Sequence, residues 1–247
     1  MAYRIEPTPK WIRGMLGGST VVDSRAVQLV WEIRYFPQYY VPTSDVADGL
    51  LTEVDEDPSV VLGPRTPTPP WGEPIVWQVG GGPGRALGWP DHEALGDHVR
   101  FTWDALDHWF EEDEEVYVHP RSPYTRIDAI PSSRHVQVEV DGTLVADTRR
   151  PVMLFETGLP PRTYIPKTDV RMDVLTPTDS ETACPYKGTA SYWSVTVDGT
   201  THDDLVWSYA TPLPESVRIA GLMAFYDEQV DVIVDGVRIE RPTSPFG

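Results

Sequence analysis

Apolar residues along this chain recur mostly at every second position, in short runs broken by glycine, proline and Asp-Gly pairs. That period of two is the signature of half-buried strands, and Asp-Gly is a strong hairpin signal. "HVQVEVDGTLVAD" (135–147) sets Val136, Val138 and Val140 on one face and turns at Asp141-Gly142. "SYWSVTVDGTTHDDLVWSY" (191–209) repeats the device with its turn at Asp198-Gly199. "AFYDEQVDVIVDG" (224–236) predicts a third hairpin, with Val230, Val232 and Val234 on one face. Helical periodicity is confined to "TWDALDHWF" (102–110), barely two turns. The pattern predicts an all-β fold.

The pattern also occurs twice. Residues 11–51 and 135–175 align without a gap at an offset of 124, and eleven of the 41 positions are identical. They include Asp23/Asp147, Arg25/Arg149, Glu32/Glu156, Tyr40/Tyr164 and Asp45/Asp169. Composition alone predicts about two or three matches, so the chain contains an internal repeat. The similarity resumes at "IVWQV" (75–79) and "SYWSV" (191–195), at offset 116. Read onward, it pairs Trp89 with Trp207, Val99-Arg100 with Val217-Arg218, and "EVYVHP" (115–120) with "DVIVDG" (231–236). The expected organisation is two tandem small antiparallel β domains: 1–120, a diverged N-terminal copy; 121–131, a linker; and 132–247, a C-terminal copy. The two copies are expected to pack on each other.

Composition sharpens this. The chain has 247 residues, with 25 prolines and 19 glycines, which suits many short strands joined by tight turns. Its net charge of −18 argues against nucleic acid and anionic membrane as partners. No apolar run is long enough to span a bilayer, and the N-terminus lacks a signal peptide's regions, so a cytoplasmic protein is expected. A single cysteine excludes an intramolecular disulfide and every multi-cysteine zinc site. The acidic, proline-bearing insert "LLTEVDEDPSVVLGPRTPTPP" (50–70) reads as a solvated loop.

Several suggestive stretches carry no chemistry. "GGGPGR" (80–85) lacks the Lys-Ser/Thr of a phosphate loop, and the repeat places it on a hairpin turn. "GGSTVVDS" (17–24) lacks the second acid of a nucleotidyltransferase site. His92, His98 and His108 have no metal-binding spacing and read as surface residues. No metal or cofactor is expected.

What distinguishes the copies is "CPYKG" (184–188), whose counterpart in the first is "TPPWG" (68–72). Cys184 is a candidate nucleophile, since Lys187 would favour its thiolate and Tyr186 or Tyr192 could donate to a developing oxyanion. A small buried residue ahead of a proline is the plainer alternative. Tyr192, Tyr209 and Tyr226 align with Val76, Asp91 and Phe110, so those hydroxyls belong to the second copy alone. Glu156 is either the partner of Arg149 within a framework ion pair or a general base. The candidate catalytic set is Cys184, Lys187 and Glu156; the candidate ligand-binding set is Tyr186, Tyr192, Trp193, Trp207, Tyr226, Asp169 and Arg149.

Four stretches of the second copy, "VEVDGTLVADTRRPVMLFETGLPPRTYIPKTDVRMDVL" (138–175), "CPYKGTASYWSV" (184–195), "VWSYATPLP" (206–214) and "IAGLMAFYDEQVDVIVDG" (219–236), closely resemble the domain-of-unknown-function 427 family. The first copy resembles a diverged member that lacks "CPYKG". The resemblance implies a compact β domain similar to the β-tent group, which includes methionine sulfoxide reductase B and the thalidomide-binding domain. The zinc site of several of those relatives does not carry over to a chain with one cysteine. A nucleotidyltransferase label used for the group finds no support in these residues, and the resemblance supplies no substrate.

Three readings follow. The second copy holds a small-molecule pocket with hydrolytic or group-transfer chemistry at Cys184 or Lys187; it binds a small molecule without chemistry; or the acidic chain is a structural or interaction protein.

Overall fold

The computed structural model describes residues 3–62, 66 and 68–244; residues 63–65 and 67, within the acidic insert, lie outside the described residues. The chain divides into two compact units, 1–122 and 123–247. Eleven strands are described in each. In the first they are β1 (Arg4–Pro7), β2 (Ile12–Leu16), β3 (Ser19–Ser24), β4 (Gln28–Trp31), β5 (Gln38–Pro42), β6 (Leu51–Val54), β7 (Ile75–Val79), β8 (Arg85–Gly88), β9 (His98–Phe101), β10 (His108–Glu111) and β11 (Glu114–Val116). In the second they are β12 (Ile127–Pro131), β13 (Val136–Val140), β14 (Thr143–Thr148), β15 (Val152–Glu156), β16 (Arg162–Ile165), β17 (Leu175–Cys184), β18 (Gly188–Val197), β19 (Thr200–Ser208), β20 (Met223–Phe225), β21 (Asp231–Val234) and β22 (Val237–Arg238).

Each unit builds one seven-stranded and one four-stranded antiparallel sheet. The orders are β1-β4-β5-β9-β8-β7-β6 and β11-β10-β2-β3 in the first, and β12-β15-β16-β20-β19-β18-β17 and β14-β13-β21-β22 in the second. Adding eleven to every strand number of the first unit reproduces the second. Detail repeats as well. The bulge between Gly14 and Met15 recurs between Val138 and Glu139, and the Val22–Val46 bridge recurs as Ala146–Val170. The fold is all-β and duplicated.

The local chemistry accounts for the turns and faces. Asp141-Gly142 and Asp198-Gly199 both sit at positive φ, as a two-residue hairpin turn requires. Val136, Val138 and Val140 are at most 2% exposed, which fixes the register of β13 through burial of one face. Valines of the small sheet pack with Ile165, Val195, Val206 and Phe225 of the large sheet to form the core between the sheets. The other face of the large sheet carries a second cluster, with Leu154, Tyr164, Tyr192, Trp207, Tyr209 and Ala224. The first unit has the same two clusters.

Several expectations are corrected. "AFYDEQVDVIVDG" is not a hairpin: β20 pairs within the large sheet while β21 pairs with β13 in the small one, so the segment crosses between sheets. The hairpin lies further on, between β21 and β22, at Asp235-Gly236. Residues 103–105 of the predicted helix form one 3-10 turn, and the following residues enter β10. Residues 127–131, read as linker, pair with β15 as the edge strand β12. The insert contains β6 and a short helix, α1 (Pro58–Leu62), whose Leu62 is buried.

Strand pairing also revises the later repeat alignment. Val99 faces Val41 as Met223 faces Ile165, so Arg100 corresponds to Ala224, not Arg218. Leu87 faces Arg100 as Trp207 faces Ala224, so Trp207 matches Leu87 and Tyr209 matches Trp89. Likewise "HWFE" of β10, not "EVYVHP", matches "DVIV" of β21. Connections of unequal length shift the offset, and local matching cannot see through them. No helix among the described residues is long and apolar enough to cross a membrane.

Candidate functional site

The turn "CPYKG" joins β17 to β18, with Cys184 facing Gly188 across its mouth. Gly188 sits at φ +95, and Gly72 of "TPPWG" has the same value. The proline and glycine are therefore turn chemistry common to both units. Lys187 also accepts the backbone N–H of Leu213 on its carbonyl at 3.1 Å, so the connection after β19 lies over the turn.

Side chains from five segments meet on the outer face of the large sheet. Lys187 donates from Nζ to Oε2 of Glu156 at the end of β15, and both side chains are nearly buried, at 12% and 9% exposed. Burial alone would lower the Lys187 ammonium, but Cys184, Glu156 and Tyr164 around it outweigh that and hold it above its usual value. An ammonium so held is a fixed cation, not an amine nucleophile. The half-buried Cys184 is an electrostatic neighbour of Lys187, Tyr164 and Tyr209. Tyr164 accepts the indole N–H of Trp207 at 3.2 Å. Burial pushes the Tyr164 phenol up to about 12 and raises Tyr209 further.

An open cleft of about 480 Å³ adjoins this cluster through Tyr192. Tyr192 shares a 2.7 Å hydrogen bond with Thr182 and is hydrogen-bonded to Tyr226, and all three line the cleft with Asp203 and Asp204. Asp204 is engaged by the hydroxyls of Thr178 and Ser180, both at 2.6 Å, which hold its carboxyl below the usual range. Beside the cleft, Tyr226 packs on Trp207 with ring centroids 4.7 Å apart, and Arg162 stands 5.7 Å over the same indole. Arg162 is bidentate to Glu228 and lies 3.7 Å from Asp227. Burial, opposed by Arg162, raises the Asp227 carboxyl to about 7.

The first unit fills the corresponding space differently. Glu32 is bound by Arg100 at 3.1 and 3.2 Å and by the Tyr40 hydroxyl at 2.8 Å. Trp71 stands where Lys187 does and Trp89 where Tyr209 does, with ring centroids 5.3 Å apart. Aromatic packing replaces the thiol, ammonium and second phenol. This unit has its own open cleft of about 530 Å³, where Arg85 and Arg100 take part in the lining.

The structure thus brings Cys184, Lys187, Glu156 and Trp207 together, with Tyr192 and Tyr226 at the adjoining cleft. Tyr186 is half-buried in the same turn. Trp193 points the other way, into the core between the sheets, with Lys167 Nζ 5.2 Å from its ring, because neighbours on a strand face opposite sides. Asp169 belongs to a separate network with Thr148, Thr168 and Arg150. Arg149 is exposed beside His135, 3.2 Å from its Nδ1. The expected Arg149–Glu156 pair does not form, nor does Arg25–Glu32, since Arg25 lies over Trp11. His98, expected at the surface, is buried. Tyr164, Arg162 and Asp227 were not singled out from the sequence. Tyr164 had been visible only as a repeated residue, and the other two gain meaning only from neighbours more than 60 residues away.

A profile of the family described as "Domain of unknown function (DUF427)" matches residues 4–59 and 128–236. The match takes in "CPYKG" of the second unit but breaks off ahead of "TPPWG" in the first. No curated protein matches the chain.

Proposed function

This chain belongs to the DUF427 family, and from that premise we propose that it is a small-molecule-binding protein whose working site is in the second unit. The ligand enters by the cleft at Tyr192 and Tyr226 and meets the polar cluster of Cys184, Lys187, Glu156, Tyr164 and Tyr209. The first unit serves as a structural partner.

One observation carries this reading: two copies of one fold treat the same space in opposite ways. Both bury an ion pair on the equivalent carboxylate and one phenol, but where the first packs Trp71 against Trp89, the second sets a thiol and a second phenol beside its pair. Burying polar groups is costly against well-packed apolar residues, so stability alone favours the first unit's solution. Use of the polar groups is the reason to keep the second. The ion pair orients the site without adding net charge, which suits a small polar molecule over a strongly charged one.

A set of small polar molecules, screened by saturation-transfer NMR against the full chain, tests the reading. The screen is repeated on protein whose Cys184 has been carbamidomethylated. Binders are expected to lose their signal in the modified protein. A screen without binders, or binders indifferent to the modification, would overturn the assignment.

A further inference from the structure

Two phenols in the cluster have protons to give and no acceptor. The Tyr209 side chain is 5% exposed, and its hydroxyl makes no hydrogen bond to any of the described residues. It packs in one cluster with Tyr164, Tyr192 and Trp207, and Cys184 and Glu156 are among its electrostatic neighbours. Tyr164 is 1% exposed and accepts from Trp207, but its own O–H finds no acceptor among the described residues. In the first unit the equivalent Tyr40 gives its proton to Glu32 at 2.8 Å. In the second, Glu156 is taken by Lys187, and Tyr164 is left with a proton to donate.

A buried O–H without an acceptor, as on Tyr164, is expensive and is retained where something else supplies one. The Tyr209 hydroxyl keeps contact with solvent and is open to an incoming group. Both phenols are raised by burial, so they stay protonated donors through the neutral range. Two neutral donors beside a thiol are the elements of an oxyanion site. Resting on the reading that the cluster receives a small molecule, we propose that its ligand is an acyl compound, an ester or thioester. The hydroxyls of Tyr164 and Tyr209 serve its carbonyl oxygen, and its carbonyl carbon is presented to Cys184.

The step balances without a further reagent. The Cys184 thiol gives its proton to water, since Lys187 already holds Glu156. A sulfur electron pair forms the S–C bond, and the carbonyl π pair moves onto oxygen, where the phenol protons meet it. Collapse restores the C=O bond and breaks the bond to the alkoxide or thiolate, which departs with its pair and is protonated by water. The product is S-acyl Cys184. Lys187 and Glu156 are positioning residues in this scheme, because neither touches the reacting atoms.

Two reagents for the same thiol separate this role from mere access. p-Nitrophenyl acetate acylates through an oxyanion, releasing p-nitrophenolate and adding an acetyl group seen by intact mass. Iodoacetamide alkylates the same sulfur by displacement, with no oxyanion. In the full chain, Tyr209→Phe and Tyr164→Phe are each expected to slow acylation by about 100-fold, the scale of a lost oxyanion donor. Alkylation of both variants is expected to match the wild type, and unchanged urea midpoints show that they remain folded. Equal acylation in wild type and variants, or equal loss in both reactions, would overturn the inference while leaving a binding site in place. A Cys184 inert to both reagents would overturn the binding site itself.

Discussion

At the scale of single residues the second unit turns on one exchange. Glu32 and Glu156 occupy equivalent positions, but Arg100 from β9 neutralises the first and Lys187 from the turn after β17 neutralises the second. The sequence made a carboxylate at this place legible and suggested a cation for it. It named the wrong one, because Arg149 is near in sequence while Lys187 is 31 positions away. Breaking a buried pair leaves an uncompensated charge, at a cost of about 3–5 kcal/mol. Lys187→Met is therefore expected to lower the urea midpoint sharply, and Glu156→Gln added to it should recover most of the loss. A double variant no better than the single one would show that the pair is not the source. Asp227 makes a second, opposite case. Its carboxyl is raised to about 7 in the folded chain against about 3.9 when unfolded, so the folded state binds the extra proton between those values. Stability from this group is fully present below about pH 4 and is lost as pH rises to about 7. Asp227→Asn should thus gain on the wild type in urea midpoint between pH 5 and pH 8; a constant gap would contradict the assignment.

Elements were read more reliably than side-chain meetings, for a physical reason. Alternation in "VQVEV" and turn chemistry in Asp141-Gly142 act within a few residues, so a local pattern carries them. "AFYDEQVDVIVDG" has the same alternation yet crosses between two sheets, because pairing partners are set by the whole topology. The faces of β18 show the same limit: Tyr192 and Trp193 were both assigned to the site, and only the pleat decides that one enters the cleft while the other enters the core. "CPYKG" divides cleanly at this scale. Gly188 stands at φ +95, where a Cβ would also come 3.4 Å from the Thr211 carbonyl oxygen. Gly188→Ala should therefore destabilise by about 1–3 kcal/mol in urea unfolding. An unchanged midpoint would mean that the turn tolerates a side chain.

At the scale of the molecule, duplication is what made function arguable at all. Each unit repeats the strand order of the other and carries its own two cores. Shared features, among them the bulge, the bridge and the glycine turn, belong to the architecture. Differences are free to belong to a site, and they concentrate where Trp71 and Trp89 give way to Lys187 and Tyr209. Half of this was legible in the sequence, since "CPYKG" and "TPPWG" align at a constant offset. The match of Tyr209 to Trp89 was not, because Val76 pairs with Leu87 over a shorter hairpin than Tyr192 with Trp207, which shifts the offset from 116 to 120 ahead of Tyr209.

The central claim is that this polar cluster is an open site and not a closed core. The alkylation of Cys184 by iodoacetamide in the folded chain, followed by intact mass over a range of reagent concentrations, tests it most directly. An open site predicts a rate that rises in proportion to reagent and exceeds the opening rate measured by amide hydrogen exchange. A rate that levels off at that opening rate would place Cys184 in the core and contradict the account.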